Sequence, residues 1–211
     1  MVFPFCTGFI NKDLNALIRY LMIKLAPVLI AEKPARFCSL YDIGPMKVPV
    51  ILDAWRVYKN YVSEFLAVGF FEVFDRFNHP KVFFYKKELL EQAMMSGKVS
   101  AFLSSYGYPV YSGLENNLKH LQTRLEQPDF PHEVGIFLGY PLKDVLGFIN
   151  GDIPFCIKGL WKVYAEPEYS CFLMRKYKYA EEQMRKVIGQ KNITVNSMKT
   201  IKEQFELKEV I

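Results

Sequence analysis

His132 and Glu133 stand side by side in the chain, and together they could do proton chemistry. An imidazole titrates near neutrality, and a neighbouring carboxylate can orient it or share its proton. Adjacent residues on a helix point about 100° apart, so only the fold could make the two meet. The bland alternative is a first helical turn in which Glu favours the helix dipole and His caps locally. No second His follows at the spacing of a zinc protease, which excludes that chemistry for the pair. Lys33, in Ala-Glu-Lys-Pro, falls between the first expected helix and the first expected strand, where loops of α/β proteins commonly line clefts. An exposed charge at a helix end explains it equally well. Tyr140, Trp161 and Tyr164 are the aromatic residues expected to line a ligand site with this trio, although Trp161 and Tyr164 also suit the core side of a strand.

Other constellations carry less. Cys6, Cys38, Cys156 and Cys171 form no C-x-x-C pair, and with only His79, His120 and His132 beside them no metal site is expected. Cys38 and Cys156 could form a redox or nucleophilic pair only if folding joined them; scattered cysteines without an export signal are usually reduced and buried. Gly135, Gly139, Gly147 and Gly151 punctuate two short helices instead of filling one compact phosphate loop, so close packing and helix caps account for them. The same helix-turn-helix outline does not suit DNA. Its second helix, residues 142–150, offers one Lys and one Asp where a base-reading helix needs polar or Arg-bearing tips.

Charge is uneven. The chain carries a net +5, and between Cys171 and Lys191 six cations (Arg175, Lys176, Lys178, Arg185, Lys186, Lys191) face Glu181 and Glu182, a local +4. Such a cluster attracts an anionic partner at a range set by salt, unless it is simply a solvated helix face. Arg175, Lys176, Lys178, Arg185 and Lys186 are accordingly the expected partner-binding residues.

These side chains must be positioned by a fold that the apolar pattern outlines. With 51% apolar and 16% aromatic residues, a chain of 211 can bury a large Phe- and Tyr-rich core without disulfide or metal. No apolar stretch reaches the ~20 residues of a bilayer span, and residues 1–10 lack the basic start and cleavage site of a signal peptide, so a packed N-terminal arm, cytoplasmic location and no membrane association are expected. Leu14, Leu17, Ile18, Leu21 and Leu25 predict a helix after a cap at Asn11, ended near Pro27 and Pro34. A strand follows at 37–42, closed by Gly44-Pro45, then a long helix over 48–68. Strands at 70–77 and 81–87 flank the Asn78-His79-Pro80 turn. Helices are expected at 87–96 and 98–105, and another opened by a Ser112-to-Glu115 capping box with a Leu114, Leu118, Leu121, Leu125 stripe. Further helices are expected at 130–138, 141–150 and 167–189, the last with an inner face of Tyr169, Phe172, Leu173, Ala180, Met184 and Val187. A strand at 159–165 precedes that helix, and a closing helix carries Met198, Ile201 and Phe205 after Thr194 or Asn196. The expectation is one α/β domain over residues 1–211, helix-rich with a small sheet of about four short strands, and without repeat or linker.

The segment PHEVGIFLGYPLKDVLGFI over 131–149 resembles the most recognisable stretch of a bacterial domain-of-unknown-function family common in anaerobes; LAPVLIAEKPA at 25–35 and GLWKVY at 159–164 fit it too. Where a Cys often precedes the Ala-Pro pair in that family, Leu25 stands here. The resemblance brings no established activity or cofactor. It implies a redox-linked accessory role, with an acidic, flavodoxin-like protein as the partner of the basic helix and no nucleic acid. The competing expectation is an enzyme or small-ligand binder with a pocket joining His132, Glu133 and Lys33. A purely structural dimer subunit would instead show a large apolar patch.

Overall fold

A computed structural model describes residues 12–40, 48–74, 80–151 and 153–189. Cys6, His79 and Lys191, the N-terminal arm, the Asn11 cap, the Gly44-Pro45 break, the Asn78-His79 part of the turn and the closing helix with Met198, Ile201 and Phe205 lie outside the described residues. Within them are eight α-helices and five strands. None of these helices is long and apolar enough to cross a membrane.

Helix α1 (Lys12–Ile30) buries Leu17, Ile18, Leu21 and Leu25, the expected stripe. It does not stop at Pro27, as the sequence suggests, but runs one more turn. A helical proline forfeits a hydrogen bond. Here burial of the whole segment from Leu25 to Leu29 offsets that loss, and the Pro27 carbonyl still accepts from Ala31 N at 3.1 Å and Lys33 N at 3.0 Å. The chain then reverses at Glu32 (φ 53°) into β1 (Ala35–Ser39), two residues earlier than the expected 37–42. Helix α2 (Val48–Leu66) leads to β2 (Gly69–Phe74) and β3 (Pro80–Tyr85). The three strands form an antiparallel sheet in the order β1-β3-β2, with Phe37, Phe83 and Phe71 in register.

Period-two alternation makes this sheet a divider between two cores. Val82 and Phe84 join α1, α2 and α8 (Pro167–Ile188) on one face. Phe83 faces the other side, where Phe71 stacks on it at 5.0 Å. That second core is closed by α3 (Lys87–Met95), α4 (Gly97–Ser105), α5 (Leu114–Leu125), the single turn α6 (Val134–Phe137) and α7 (Leu142–Asn150). Burying each such Phe contributes roughly 1.5–3 kcal/mol.

Three local expectations are corrected by tertiary contacts. The capping box is not formed: Gly113 (φ 89°) precedes α5 and Ser112 ends a 3-10 turn, so its hydroxyl is carried away from the helix start. Buried Asn117 instead ties the entry together, donating to the carbonyls of Pro109 at 3.0 Å and Gly113 at 2.8 Å. The helix expected over 130–138 shrinks to one α-turn, because the chain winds there through i-to-i+3 bonds such as Val134 N to Pro131 O and Ile136 N to Glu133 O. The strand expected over 159–165 is only β5 (Lys162–Val163), paired with β4 (Ile157–Lys158), while Gly159 and Leu160 make the turn. A Cβ on Gly159 would lie 2.4 Å from the Met174 sulfur, so the turn sits tight on α8.

Helix α8 keeps part of its expected inner face, since Ala180 and Met184 are buried and Leu173 packs on the first core. Ser170, Met174, Tyr177, Ala180, Met184 and Ile188 face inward, whereas Tyr169 and Phe172 are 61% and 53% exposed. The Ser170 hydroxyl is drawn into the protein by a buried carboxylate on α7.

Candidate functional site

Asp144 lies in the first turn of α7 and is buried. Its Oδ2 accepts from Trp161 Nε1 at 2.8 Å and from the Ser170 hydroxyl at 2.6 Å, and its Oδ1 accepts from the Tyr164 amide at 3.1 Å. One carboxylate thus fastens the β4–β5 hairpin and the start of α8 onto α7. A buried carboxylate is tolerated only when its oxygens are occupied in this way. Trp161, so oriented, stacks on Tyr140 at 4.5 Å and 20°. Tyr140 packs against both cores, so this pair marks the seam between them.

In front of the seam, under the hairpin, is a hollow of about 430 Å³. Tyr140 and Trp161 form its back wall, and Phe130, His132 and Phe148 form its side, with the His132 ring edge-on to Phe148 at 4.8 Å. Lys158 and Lys162 line it from the hairpin, with Leu160 between them at the turn. The Lys162 ammonium lies 5.3 Å from the centre of the Phe148 ring and 5.2 Å from that of Phe155. Neither lysine, nor His132, has a hydrogen-bond or ion-pair partner among the described residues.

The trio expected to do proton chemistry is not assembled. His132 opens onto the hollow. Glu133 turns the other way and is 1% exposed; its Oε1 accepts from Arg124 Nε at 2.9 Å and from the Tyr108 hydroxyl at 3.2 Å. Burial, and then the charge and hydrogen bond of Glu133, push the Tyr108 hydroxyl far above its ordinary range. Glu133 therefore joins α5 to the 132–137 turn and faces no cavity with His132. Lys33 is 4% exposed behind Tyr140, donating to the Leu138 carbonyl, with its ammonium 5.0 Å from the Tyr140 ring centre and 5.1 Å from that of Tyr177. Burial, with the Arg36 charge adding to it, lowers its pKa to about 7. Lys33 supports the back wall without entering the hollow.

Of the aromatic expectations, Tyr140 and Trp161 line the hollow and Tyr164 does not. The Tyr164 ring lies on Gly147, where a Cβ would come within 2.4 Å of it. Gly135 is likewise overlain by Val145 and Tyr140, and Gly151 (φ 70°) caps α7, so packing and caps account for these glycines. Cys38 is buried and Cys156 exposed, both as free thiols. On α8, Lys176 pairs with Glu32 and Arg185 approaches Glu181 at 3.8 Å, whereas Arg175, Lys178 and Lys186 are exposed without partners among the described residues.

Sequence reasoning missed Asp144, Lys158 and Lys162. The lysines had a readable signal: Lys-Gly-Leu-Trp-Lys places two cations at either foot of a glycine turn. Asp144 had none, since an acidic residue in a first helical turn is ordinarily explained by the dipole alone.

A family model described as a protein of unknown function, DUF3793, matches residues 21–198, more than four fifths of the chain. No curated protein and no solved structure matches it.

Proposed function

The chain belongs to that family of unknown function, and from the hollow under the β4–β5 hairpin we propose that it is a small-molecule-binding protein. One observation carries this reading. The scaffold behind the hollow has its buried carboxylates occupied, Asp144 by three donors and Glu133 by two, while the polar groups lining the hollow, His132, Lys158 and Lys162, have no hydrogen-bond or ion-pair partner among the described residues. A cavity of this volume, mostly apolar with several aromatic rings and a few polar groups, is the usual form of a small-ligand site. The expected pair of His132 and Glu133 does not meet in it, so the reading is binding and names no reaction. An uncharged fluorescent naphthylamine, phenylnaphthylamine, should bind saturably at one site per chain. Leu160→Trp, which fills the mouth from an exposed turn, should weaken it about tenfold with the melting temperature unchanged. Absence of saturation, or indifference to Leu160→Trp, overturns the reading.

A second reading has its own support on α8. Exposed Arg175, Lys178 and Lys186 alternate with exposed Tyr169, Phe172 and Tyr179, a mixture suited to docking an acidic protein. We propose a redox-linked accessory role in which this face meets an acidic, flavodoxin-like carrier. Association measured by calorimetry should weaken at least about tenfold when salt shortens the Debye length from about 30 Å to about 8 Å. The triple variant Arg175→Glu, Lys178→Glu, Lys186→Glu should abolish it. Salt-independent association, or none, removes this reading.

A further inference from the structure

We infer that the ligand of the hollow is a flat aromatic anion, its ring system held among Phe148, His132 and Trp161 and its acidic group facing Lys158 and Lys162; this rests on the small-molecule reading above. The first ground is the placement of the two lysines. They are directly opposite each other in the antiparallel β4–β5 ladder. Like charges in that relation destabilise a hairpin, and this one has only two residues per strand with which to resist. A like-charge pair that opposes folding, with no ion-pair partner among the described residues, is characteristic of a functional position.

The second ground is how the ammonium groups are held. Lys143, on α7, donates to the carbonyls of Ala165 and Glu166 and is satisfied by the protein itself. Lys162 has no such acceptor among the described residues; it lies against the rings of Phe148 and Phe155, which orient a cation and leave its three N–H donors open. Asp144 is the carboxylate that lines the hollow; its oxygens accept from Trp161, Ser170 and Tyr164, and neither lysine forms an ion pair with it. The acceptor that fits is an external anion, a carboxylate, sulfonate or phosphate.

The third ground is the shape of the apolar part. Phe130, Phe148 and Leu160 keep large apolar surface exposed at the mouth. Beside aliphatic side chains, the walls carry the ring edges and faces of Phe130, His132, Phe148, Tyr140 and Trp161, which suit offset or edge-on contact with another ring. About 430 Å³ lies toward the small end of ligand cavities, with room for one ring system.

The test compares two dyes with the same ring skeleton, anilinonaphthalene sulfonate and the uncharged phenylnaphthylamine, on the full chain. The sulfonate should bind at least about tenfold more tightly at low salt, and added salt should shrink that advantage. Lys158→Gln with Lys162→Gln should erase the advantage, so that the variant binds the sulfonate no more tightly than it binds the neutral dye. Thermal stability of the double variant should be unchanged or higher, because a like-charge pair has been removed, which separates lost binding from lost folding. Equal affinity for the two dyes, or a double variant that still prefers the sulfonate, overturns the anion assignment while the small-molecule reading stands. Failure of both dyes to saturate overturns the two together.

Discussion

Asp144→Ala is expected to lower the free energy of unfolding by about 3–5 kcal/mol, a large part of the roughly 5–15 kcal/mol that a domain possesses. The substitution removes one acceptor group and strands three donors: the Trp161 indole N–H, the Ser170 hydroxyl and the Tyr164 amide. A buried donor left unsatisfied costs about 1–3 kcal/mol, and the three would cost more than the stated range if water could not enter from the adjoining hollow. Urea unfolding measures the loss. Trp161 emission should shift to the red in the variant before denaturation, since the hairpin loses its tie to α7. Two companion substitutions rank the parts. Asp144→Asn presents an amide where a second acceptor is needed and should fall between the wild type and Asp144→Ala. Ser170→Ala should cost only about 1 kcal/mol, because Oδ2 keeps its bond from Trp161. If Asp144→Ala costs less than about 1 kcal/mol, the carboxylate does not hold the hairpin, and the back wall of the hollow must be fixed by stacking alone.

That carboxylate also shows where the sequence could be read and where it could not. The stripe Leu114, Leu118, Leu121, Leu125 was legible because an amphipathic period needs no knowledge of its partner, and all four are buried. The Phe- and Val-rich strands were legible for the same reason, since alternation on β3 feeds a core on each face. Helix α8 was legible in extent and in part of its inner face: Ala180 and Met184 are buried, whereas Tyr169 and Phe172 are exposed. Counting aromatics favoured turning Tyr169 and Phe172 inward, whereas the buried side of that first turn carries Ser170, bonded to Asp144, 26 residues away in sequence. Short polar side chains carry no mark of such distant partners.

The site divides along the same line. The segment around 130–149 was singled out by its residue types, and His132 and Tyr140 from it do line the hollow. Glu133 looked like the natural companion of His132, yet its partners are Arg124 on α5 and Tyr108 before it, contacts that only the closed fold defines. Adjacent residues in a tight turn diverge, and a carboxylate that can reach a guanidinium across a buried gap will take it. Lys33 was noticed for lying between a helix and a strand. Its position in the loop was read correctly, but the tyrosine faces and carbonyl that enclose it come from elements more than a hundred residues later.

Lys33→Met should abolish a rise in stability that the wild-type protein is expected to show between about pH 7 and pH 8.5. The native Lys33 releases its proton near pH 7, because burial first and the Arg36 charge second disfavour the ammonium, with Cys38 acting weakly the other way. In the unfolded chain the same group titrates near 10.4. Below pH 7 both states are protonated and the native state bears the whole penalty of enclosing a cation. Above it the unfolded chain binds a proton that the native protein does not, so stability climbs with pH at up to about 1.4 kcal/mol per unit, or roughly 2 kcal/mol across this window. The climb should not continue to pH 10.4. Burial raises the pKa of Cys38, and it raises that of Tyr177 to about 12. Each keeps its proton in the native state where the unfolded chain would lose it, which favours unfolding above about pH 8.5 for the thiol and about pH 10 for the phenol. The stability maximum should therefore fall between about pH 8.5 and pH 10. Methionine keeps the length and apolar body of the side chain and cannot titrate, so the difference between the two urea midpoint curves isolates Lys33 from every other group. A variant curve that rises in parallel with the wild type would mean that the ammonium remains charged between its tyrosines throughout, held by the Leu138 carbonyl and the two ring faces strongly enough to outweigh its burial.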